Sequence, residues 1–290
     1  MLAEELNGEI ISADSRQIFK HLDIGTAKPS QEDRTRVRHH FIDVLDPKVE
    51  YSAGQYGEEV QDVFDDVAAR GKVPILVGGS GLYVKAAIDG LFGGPGKDPD
   101  IRGRLEEQLR VQGLDALIDQ LRKKDPDTLS KMKEITPRRV IRALEVFSVT
   151  GKPMSSLHAS QPPRTDFRFQ QVCLVWDRSE LYARINHRVD EMMRAGLVEE
   201  VRGLLTMGYS RQLNALNTVG YKEVFDHLEG ATDHETMVEL IKRNTRRFAK
   251  RQVTWFGADK RIRGIPMSAG RELISVSRKI ADSYRRVARA

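Results

Sequence analysis

Asp14 is the first residue in this chain whose type and position favour chemistry. It follows a short apolar segment, residues 9–11, which predicts a β-strand, and it lies in a polar loop that ends at Pro29. Open α/β sheets bind ligands just beyond the carboxyl ends of such strands, so the Asp14 carboxylate is a candidate functional group. An Asp in such a loop also commonly caps a turn, and both interpretations stay open. Gln17, three residues further on, could pair its amide with the edge of an adenine.

A second candidate site follows the next predicted strand, Val73–Val77. This segment is apolar without alternation, which is typical of a parallel sheet covered on both faces, and it ends in the glycine-rich turn at residues 78–81. Glycines let backbone N–H groups approach a ligand closely, and Ser80 adds a hydroxyl where a helix begins. The turn lacks the Lys-Ser/Thr pair of a Walker loop, and Leu82 stands where a nucleophile elbow needs glycine. A tight turn that packs strand on helix is the alternative.

The order of predicted elements indicates an α/β fold with a parallel sheet. A helix at residues 52–70 connects the two strands, and a later strand at 169–176 contains the lone cysteine, Cys173, which we expect to be buried. Apolar residues recur at helical spacing through most of residues 97–165. We therefore expect a core domain formed by residues 1–96 and 166–290, with a helical C-terminal part, interrupted by an all-helical insertion domain at 97–165.

Composition and charge limit the function classes. The chain has 290 residues, a net charge of +5 and one cysteine, which excludes an internal disulfide or a multi-thiolate metal site and suits the cytoplasm. No segment is apolar enough to cross a bilayer and none resembles a signal peptide, so we expect no membrane association. Residues 241–290 carry fifteen Lys and Arg against three Asp and Glu. This imbalance indicates a polyanionic partner or a solvated basic tail.

One predicted helix, at residues 236–256, favours the polyanionic partner. Met237, Ile241, Phe248 and Trp255 form a narrow apolar stripe that is expected to face a core. The opposite half of the helix carries six cations: Lys242, Arg243, Arg246, Arg247, Lys250 and Arg251. A solvated face normally mixes charges of both signs, so this face is predicted to bind a phosphate backbone.

Three arginines of the predicted insertion are further candidates for phosphate contacts. Arg138, Arg139 and Arg142 lie at helical spacing, and arginine commonly donates hydrogen bonds to phosphate oxygens. Glu145 follows on the same helix, so the alternative is that this acid and the arginines brace one helix face.

Seven motifs in one order resemble the tRNA dimethylallyltransferase family. They are ISADSRQ at 11–17, DIGTAKP at 23–29, HHFID at 39–43, VGGSGLY at 77–83, RVIRALEV at 139–146, VGYKE at 219–223 and AKRQ at 249–252. Several independent motifs in register make the resemblance specific, and only the last thirty or so residues of the chain are uninformative.

The resemblance implies a P-loop-kinase-like core and transfer of a dimethylallyl group from dimethylallyl diphosphate to tRNA. The acceptor would be the exocyclic N6 amine of the adenosine 3′ of the anticodon, in tRNAs that read codons starting with U. An adenine amine is a weak nucleophile and needs a base for its proton, which makes Asp14 the candidate base, with Ser80 as a second catalytic residue. The resemblance also implies Mg²⁺ on the diphosphate, and we expect a cytoplasmic monomer.

Contacts with the anticodon stem-loop are implied for several segments. Asp14, Ser15, Arg16 and Gln17 would contact the target adenosine, with Ser80 nearby. Further tRNA contacts would come from Arg102, from Arg138, Arg139, Val140, Ile141 and Arg142, and from Thr245, Arg246, Arg247, Lys250, Arg251 and Gln252. Ser80 stands where the family usually has threonine, which keeps the hydroxyl, and Arg138 stands where glutamine is usual.

The chain departs from the family pattern at its start. Family members carry a strand and a Gly-Pro-Thr-Ala-Ser-Gly-Lys-Thr phosphate loop ahead of the helix expected at residues 1–6, and this sequence begins after them. We interpret this as a mis-assigned start codon or a truncation that removes the main diphosphate cradle and a central strand. Two alternatives to the tRNA enzyme stay open: a non-catalytic tRNA-binding module, and an adenylate isopentenyltransferase, against which the helical insertion and the basic helix argue.

Overall fold

The computed structural model describes residues 1–91, 98–159, 167–268 and 273–288. Five strands are described: β1 (Gly8–Ser12), β2 (His39–His40), β3 (Val73–Val77), β4 (Val172–Trp176) and β5 (Arg263–Met267). The helices, with a 3₁₀ turn at Asn214–Leu216, are α1 (Leu2–Glu5), α2 (Gln31–Arg36), α3 (Ala53–Ala69), α4 (Gly81–Asp89), α5 (Pro99–Lys124), α6 (Pro126–Lys131), α7 (Pro137–Thr150), α8 (Met154–Ala159), α9 (Arg178–Arg194), α10 (Leu197–Thr206), α11 (Tyr221–Leu228), α12 (His234–Gly257) and α13 (Leu273–Ala288).

The chain divides into two compact units. The core unit comprises Met1–Tyr51, Glu59–Val84 and Arg168–Ala290, and the insertion unit comprises Ser52–Glu58 and Lys85–Phe167. The insertion unit contains the helices that the sequence predicts for residues 97–165, together with parts of α3 and α4. The predicted domain borders at 96/97 and 165/166 lie outside the described residues.

Parallel strand pairing places the two candidate loops at one edge of a sheet. The strand order is β2-β1-β3, and β1 pairs with β3 from Gly8 opposite Val73 to Ser12 opposite Val77. Because both strands run in the same direction and end at the same level, the loops that follow them begin side by side. The predicted α/β fold with a parallel sheet is therefore confirmed.

Two expectations about strand burial were wrong. β3 was expected to be covered on both faces, but Val77 is 50% exposed and the other residues of this strand are only partly buried. Cys173 lies in β4 as predicted, yet it is partly exposed, and Leu174 beside it is exposed. Among the described strands, β3 pairs only with β1 and β4 only with β5, so each keeps an open edge. Apolar composition indicates a strand but does not show how many neighbours cover it.

The predicted basic helix is present as α12, but its apolar stripe is buried only in part. Met237 and Ile241 are fully buried, whereas Phe248 is 43% and Trp255 47% exposed. A periodic stripe shows which face of a helix can be buried, and the neighbouring elements decide how far along the helix burial extends. Among the described helices, none combines the length and apolar character needed to cross a membrane.

The insertion unit has its own hydrophobic core, formed mainly between α5 and α7. Its buried members are Leu105, Leu117, Leu121, Val140, Ile141, Ala143 and Leu144. The predicted continuous helical region is interrupted at Gly113, which has a left-handed φ of 79°, and again between α6 and α7. Asp125 is almost fully buried, caps α6 through the N–H of Thr128 and accepts two hydrogen bonds from Ser155.

Candidate functional site

Asp14 lies just beyond β1 and is held by its own turn. Its Oδ1 accepts hydrogen bonds from the backbone N–H groups of Arg16 at 2.8 Å and Gln17 at 3.3 Å. The chain just before it is tied to β3, because the N–H of Ala13 donates to the carbonyl of Val77 at 2.7 Å. The carboxylate therefore caps the turn, as the structural alternative predicts, and these hydrogen bonds fix its position at the end of β1.

The glycine-rich turn is bonded directly to the Asp14 loop. The N–H of Ser80 donates to the carbonyl of Ala13 at 3.2 Å, and Ser80 Oγ accepts from the N–H of Ser15 at 3.0 Å. The Ser80 hydroxyl also donates to Ser15 Oγ at 3.2 Å. A Cβ at Gly78 would lie 2.2 Å from the Ala13 carbonyl oxygen, so only glycine permits this approach. The structure thus brings Asp14, Ser15 and Ser80 together.

The C-terminal half of α12 docks on the same turn. Gln252 Nε2 donates to the carbonyl of Gly79 at 3.0 Å, and a Cβ at Gly79 would lie 2.2 Å from that nitrogen. A Cβ at Gly81 would lie 2.2 Å from Trp255 Nε1. The sequence allowed these glycines to form a tight turn or a ligand loop. They also make room for the basic helix, α12, which packs against the turn bonded to the Asp14 loop.

Gln17 and Arg16 are both engaged within the core unit. Gln17 Nε2 donates to the carbonyls of Thr26 and Ala27 at 3.1 and 3.2 Å. Arg16 Nη1 donates to the carbonyl of Asn214 at 2.5 Å. The Gln17 amide therefore closes the loop on itself, and pairing with an adenine would require it to exchange these carbonyl partners for the base.

Arg188 of α9 reaches this loop, although the sequence interpretation missed it. Its Nη2 donates to the carbonyl of Thr26 at 3.4 Å. Desolvation lowers the pKa of Arg188, while the negative charge of Asp14 acts to raise it, so the two side chains interact electrostatically. The only sequence signal that could have pointed to Arg188 is that its helix, α9, begins just after the carboxyl end of β4.

Tyr83 also interacts electrostatically with Asp14. Its side chain is buried, and this burial raises the pKa of its hydroxyl to about 12.

The cations of α12 fall into two groups. Lys242 Nζ lies 2.9 Å from Asp190 Oδ1, and the hydrogen bond between them raises the pKa of Lys242. Arg246 Nη1 donates to Asn186 Oδ1 at 2.6 Å, so both residues brace α12 against α9. The Thr245 hydroxyl donates to the carbonyl of Ile241 within α12. The exposed cations are Arg243, Arg247, Lys250 and Arg251. Of the six predicted cations, four are therefore exposed, and Lys242 and Arg246 are partly buried against α9.

In the insertion unit, Glu145 organises two of the predicted tRNA-binding arginines. Its side chain is fully buried, and its Oε2 accepts a hydrogen bond from Arg142 Nη1 at 2.8 Å. Arg102 Nη1 lies 3.7 Å from Oε1, which also accepts from the N–H of Asp98 at 3.3 Å. The bracing role that the sequence offered as an alternative is therefore present for Arg142 and extends to Arg102.

The remaining predicted contacts of α7 divide by exposure. Arg138 and Arg139 are exposed, and Arg139 Nη1 donates to the carbonyl of Glu134 at 2.8 Å. Val140 and Ile141 were expected to contact tRNA, but their side chains belong to the core of the insertion unit and are 0% and 4% exposed. The motif therefore mixes two core positions with surface arginines, and a tRNA contact at Val140 or Ile141 stays a prediction that their buried side chains leave to the backbone.

The described residues can also be compared with the requirements of a metal centre. Within the described residues, no group of three or more His, Cys, Asp or Glu side chains could hold a metal ion. The hydroxyls of Ser15 and Ser80 bond to each other, and Asp14 precedes Ser15 in the same loop. The residues present do not by themselves form a Mg²⁺ site.

Comparisons with known proteins identify the relatives of this chain. The sequence model of IPP transferase matches residues 17–259. The tRNA dimethylallyltransferase of Thermotoga maritima is 48% identical over 256 residues, covering 88% of this chain and 83% of that protein, and the one from Geobacter sulfurreducens is 44% identical over 279 residues, covering 94% and 88%.

Solved structures extend the agreement to the fold. The tRNA isopentenylpyrophosphate transferase of Bacillus halodurans superposes with a TM-score of 0.70 at 34% identity, covering all of this chain and 93% of that one. A eukaryotic dimethylallyltransferase crystallised while acting on tRNA gives a TM-score of 0.81 at 26% identity, with coverage of 99% and 75%. The core is thus the α/β, P-loop-like fold of tRNA prenyltransferases, and the chain belongs to the IPP transferase family.

Proposed function

We propose that this protein transfers a dimethylallyl group from dimethylallyl diphosphate to the exocyclic N6 amine of the adenosine 3′ of the anticodon, in tRNAs that read codons starting with U. One observation carries the proposal: Asp14, Ser80 and the docked end of α12 converge at the common end of β1 and β3. This geometry supports the proposal because it brings the loop that carries Asp14, the Ser80 hydroxyl and a helix with exposed cations to one end of the sheet, in a chain of the IPP transferase family.

Asp14 is proposed as the base. The N6 lone pair is delocalised into the adenine ring, so the amine attacks well only if its proton is taken as the new bond forms. The N6–carbon bond forms, the bond from that carbon to the diphosphate oxygen breaks with its electron pair leaving on the diphosphate, and the N6 proton moves to Asp14. Both backbone hydrogen bonds to Asp14 end on Oδ1, which leaves Oδ2 to accept the proton.

Arg188 is proposed to stabilise the leaving diphosphate. Negative charge develops on this group as its bond to carbon breaks, and a partly desolvated guanidinium stabilises such charge more strongly than one in water. The Ser80 hydroxyl would fix the glycine-rich turn and contact the reactants. The Mg²⁺ implied by the resemblance has no set of protein ligands among the described residues, and no step here depends on it.

Each unit offers its own surface for tRNA. In the core unit, Arg243, Arg247, Lys250 and Arg251 are exposed on α12, and Gln252 ties this helix to the glycine-rich turn. In the insertion unit, Arg138 and Arg139 are exposed, and Arg102 and Arg142 are oriented by Glu145. Contacts to phosphates position the anticodon stem-loop, and the target adenosine must leave its stack, which costs least in a loop.

The organisation proposed with this function is a core domain carrying the chemistry and a helical insertion domain that assists tRNA binding. We propose a monomer in the cytoplasm, where its tRNA substrate is found. The insertion unit supports the domain proposal because it has a hydrophobic core of its own. Light scattering of the purified protein coupled to gel filtration tests the monomer, and a mass of two chains would contradict it.

A prenylation assay with two acceptors tests the proposed function. The protein is incubated with radiolabelled dimethylallyl diphosphate and either an unmodified anticodon stem-loop or free AMP. We expect label on the stem-loop and none on AMP. Label on AMP alone would establish an adenylate isopentenyltransferase instead, and tight stem-loop binding without transfer would establish a binding module.

A further inference from the structure

The three consecutive backbone N–H groups of residues 23–25 all donate to the carboxylate of Glu200. Asp23 and Ile24 donate to Glu200 Oε2 at 3.0 and 2.7 Å, and Gly25 donates to Oε1 at 3.1 Å. Successive N–H groups that point into one concavity form an anion-binding nest. Here the anion is supplied by α10, whose Glu200 lies about 175 residues further along the chain.

Tyr221 completes this anchor from the other side. Its hydroxyl donates to Glu200 Oε1 at 2.6 Å, and its side chain is fully buried. The ring also packs on the segment itself, since a Cβ at Gly25 would lie 2.4 Å from Tyr221 Cε2. Burial and the negative charge of Glu200 hold the pKa of Tyr221 far above its usual value, so the hydroxyl keeps its proton and stays a donor.

The anchored segment leads directly to the groups that surround Asp14. Thr26 and Ala27 follow Gly25, and their carbonyls accept the two hydrogen bonds of the Gln17 amide. The carbonyl of Thr26 also accepts the hydrogen bond from Arg188. Gln17 in turn donates its N–H to Asp14. Residues 23–27 are therefore the support on which Gln17 and Arg188 rest.

We propose that Glu200 is a positioning residue for the reaction: by filling the nest at residues 23–25, it fixes the carbonyls that orient Gln17 and Arg188 around Asp14. This inference rests on the proposed function for its kinetic consequences, but the geometry it asserts is independent of activity. Glu200 touches no reacting atom, so its effect passes through the loop.

Glu200→Gln is the sharpest test, because it keeps the size of the side chain and removes its charge. One carboxylate oxygen becomes an NH₂ group that faces backbone N–H donors, so at least one of the loop hydrogen bonds is lost. We expect kcat for the stem-loop to fall about tenfold or more, as the loss of charge-assisted bonds predicts. The KM for the stem-loop should change less than about threefold, since the exposed cations of α12 are untouched.

The matched control is Glu199→Gln, which removes the same charge from the neighbouring, exposed residue of α10. It should leave kcat unchanged. Tyr221→Phe removes one donor to Glu200 and keeps the ring against Gly25, so a fall in kcat of a few-fold is expected. If Glu200→Gln does not fold, the kcat of Tyr221→Phe becomes the test. A few-fold fall in that kcat supports the proposal, and an unchanged kcat overturns it.

Hydrogen exchange separates this proposal from the proposed function. The amides of residues 23–25 should exchange about tenfold faster or more in Glu200→Gln than in the wild type or Glu199→Gln, whether or not the protein transfers a prenyl group. If the wild type transfers no prenyl group, the proposed function is wrong, and hydrogen exchange alone then tests whether Glu200 holds residues 23–25. Unchanged exchange at residues 23–25, or an unchanged kcat in an active protein, overturns the role of Glu200.

Discussion

Asp14 caps a turn, and we propose that it is also the base of the reaction. Its Oδ1 caps a turn, and the same carboxylate stands beside Ser80 at the end of the parallel strands. The sequence offered these roles as alternatives because a local pattern describes only neighbours along the chain. The two roles are compatible, since the turn that Asp14 caps also fixes the carboxylate that we propose as the base.

Gly81 illustrates how a residue without a side chain decides the position of a helix. We expect Gly81→Ala to destabilise the protein by about 1–3 kcal/mol, because its Cβ would overlap the Trp255 indole and force α12 away from the turn. Gly203→Ala is the control, since nothing lies within 4 Å of its Cβ position in α10, and it should stabilise by about 0.5–1 kcal/mol. Urea unfolding measures both, and equal effects of the two substitutions would contradict the close packing at Gly81.

Among the elements, α12 shows which properties of a helix the spacing of apolar residues can predict and which it cannot. Its position and its amphipathic character were predicted from the sequence within about two residues at each end. The sequence did not show that Lys242 and Arg246 pair with α9, or that Phe248 and Trp255 are exposed. These facts depend on side chains of α9 that lie about 50 to 60 residues away, which no local pattern contains.

The two groups of cations on α12 should differ in their contribution to tRNA binding. Lys250 is exposed, so Lys250→Ala should weaken stem-loop binding and lower the slope of log K against log salt by about 1. Lys242 is only 16% exposed and paired with Asp190, so Lys242→Ala should leave the salt slope unchanged and reduce stability instead. Filter binding at several salt concentrations measures the slopes. If Lys242→Ala lowers the slope as much as Lys250→Ala does, the assignment of the braced cations is wrong.

At the scale of the whole molecule, the order of elements was the most predictable property. Apolar runs, glycine breaks and charge, all of which are local in sequence, predict the parallel sheet, the helical insertion and the basic helix α12. Arg188 and Glu200 could not be found in this way, because each acts on the loop at residues 23–27 across more than 150 residues. Long-range hydrogen bonds of this kind are specified by the fold as a whole.

The stability of the insertion unit should depend on pH through Asp125. Burial alone would raise its pKa, but the hydrogen bonds from Thr128 and Ser155 outweigh burial and lower it. A lowered pKa in the folded state contributes stability that is present above the unfolded value of about 3.9 and is lost as pH falls below it. The free energy of unfolding, measured with urea, should therefore fall as pH drops below about 4, and Asp125→Asn should reduce this fall.

Asp125→Asn should also cost about 1–3 kcal/mol at neutral pH, because its buried partners lose a charged acceptor. Asp119→Asn, at an exposed position of the same unit, serves as the control and should change neither quantity by more than about 0.5 kcal/mol. An acid-induced drop of the same size in Asp125→Asn as in the wild type would show that another group causes it.

Single-turnover transfer to an unmodified anticodon stem-loop, compared between the wild type and Asp14→Asn, tests whether this protein is a tRNA prenyltransferase that uses Asp14 as its base. Excess protein is mixed with the stem-loop and radiolabelled dimethylallyl diphosphate, and stem-loop affinity is measured separately for both proteins. We predict that the wild type prenylates the stem-loop and that Asp14→Asn does so about 100-fold more slowly or worse, with stem-loop affinity within about threefold of the wild type. Transfer by Asp14→Asn at the wild-type rate, or no transfer by the wild type, would contradict the account.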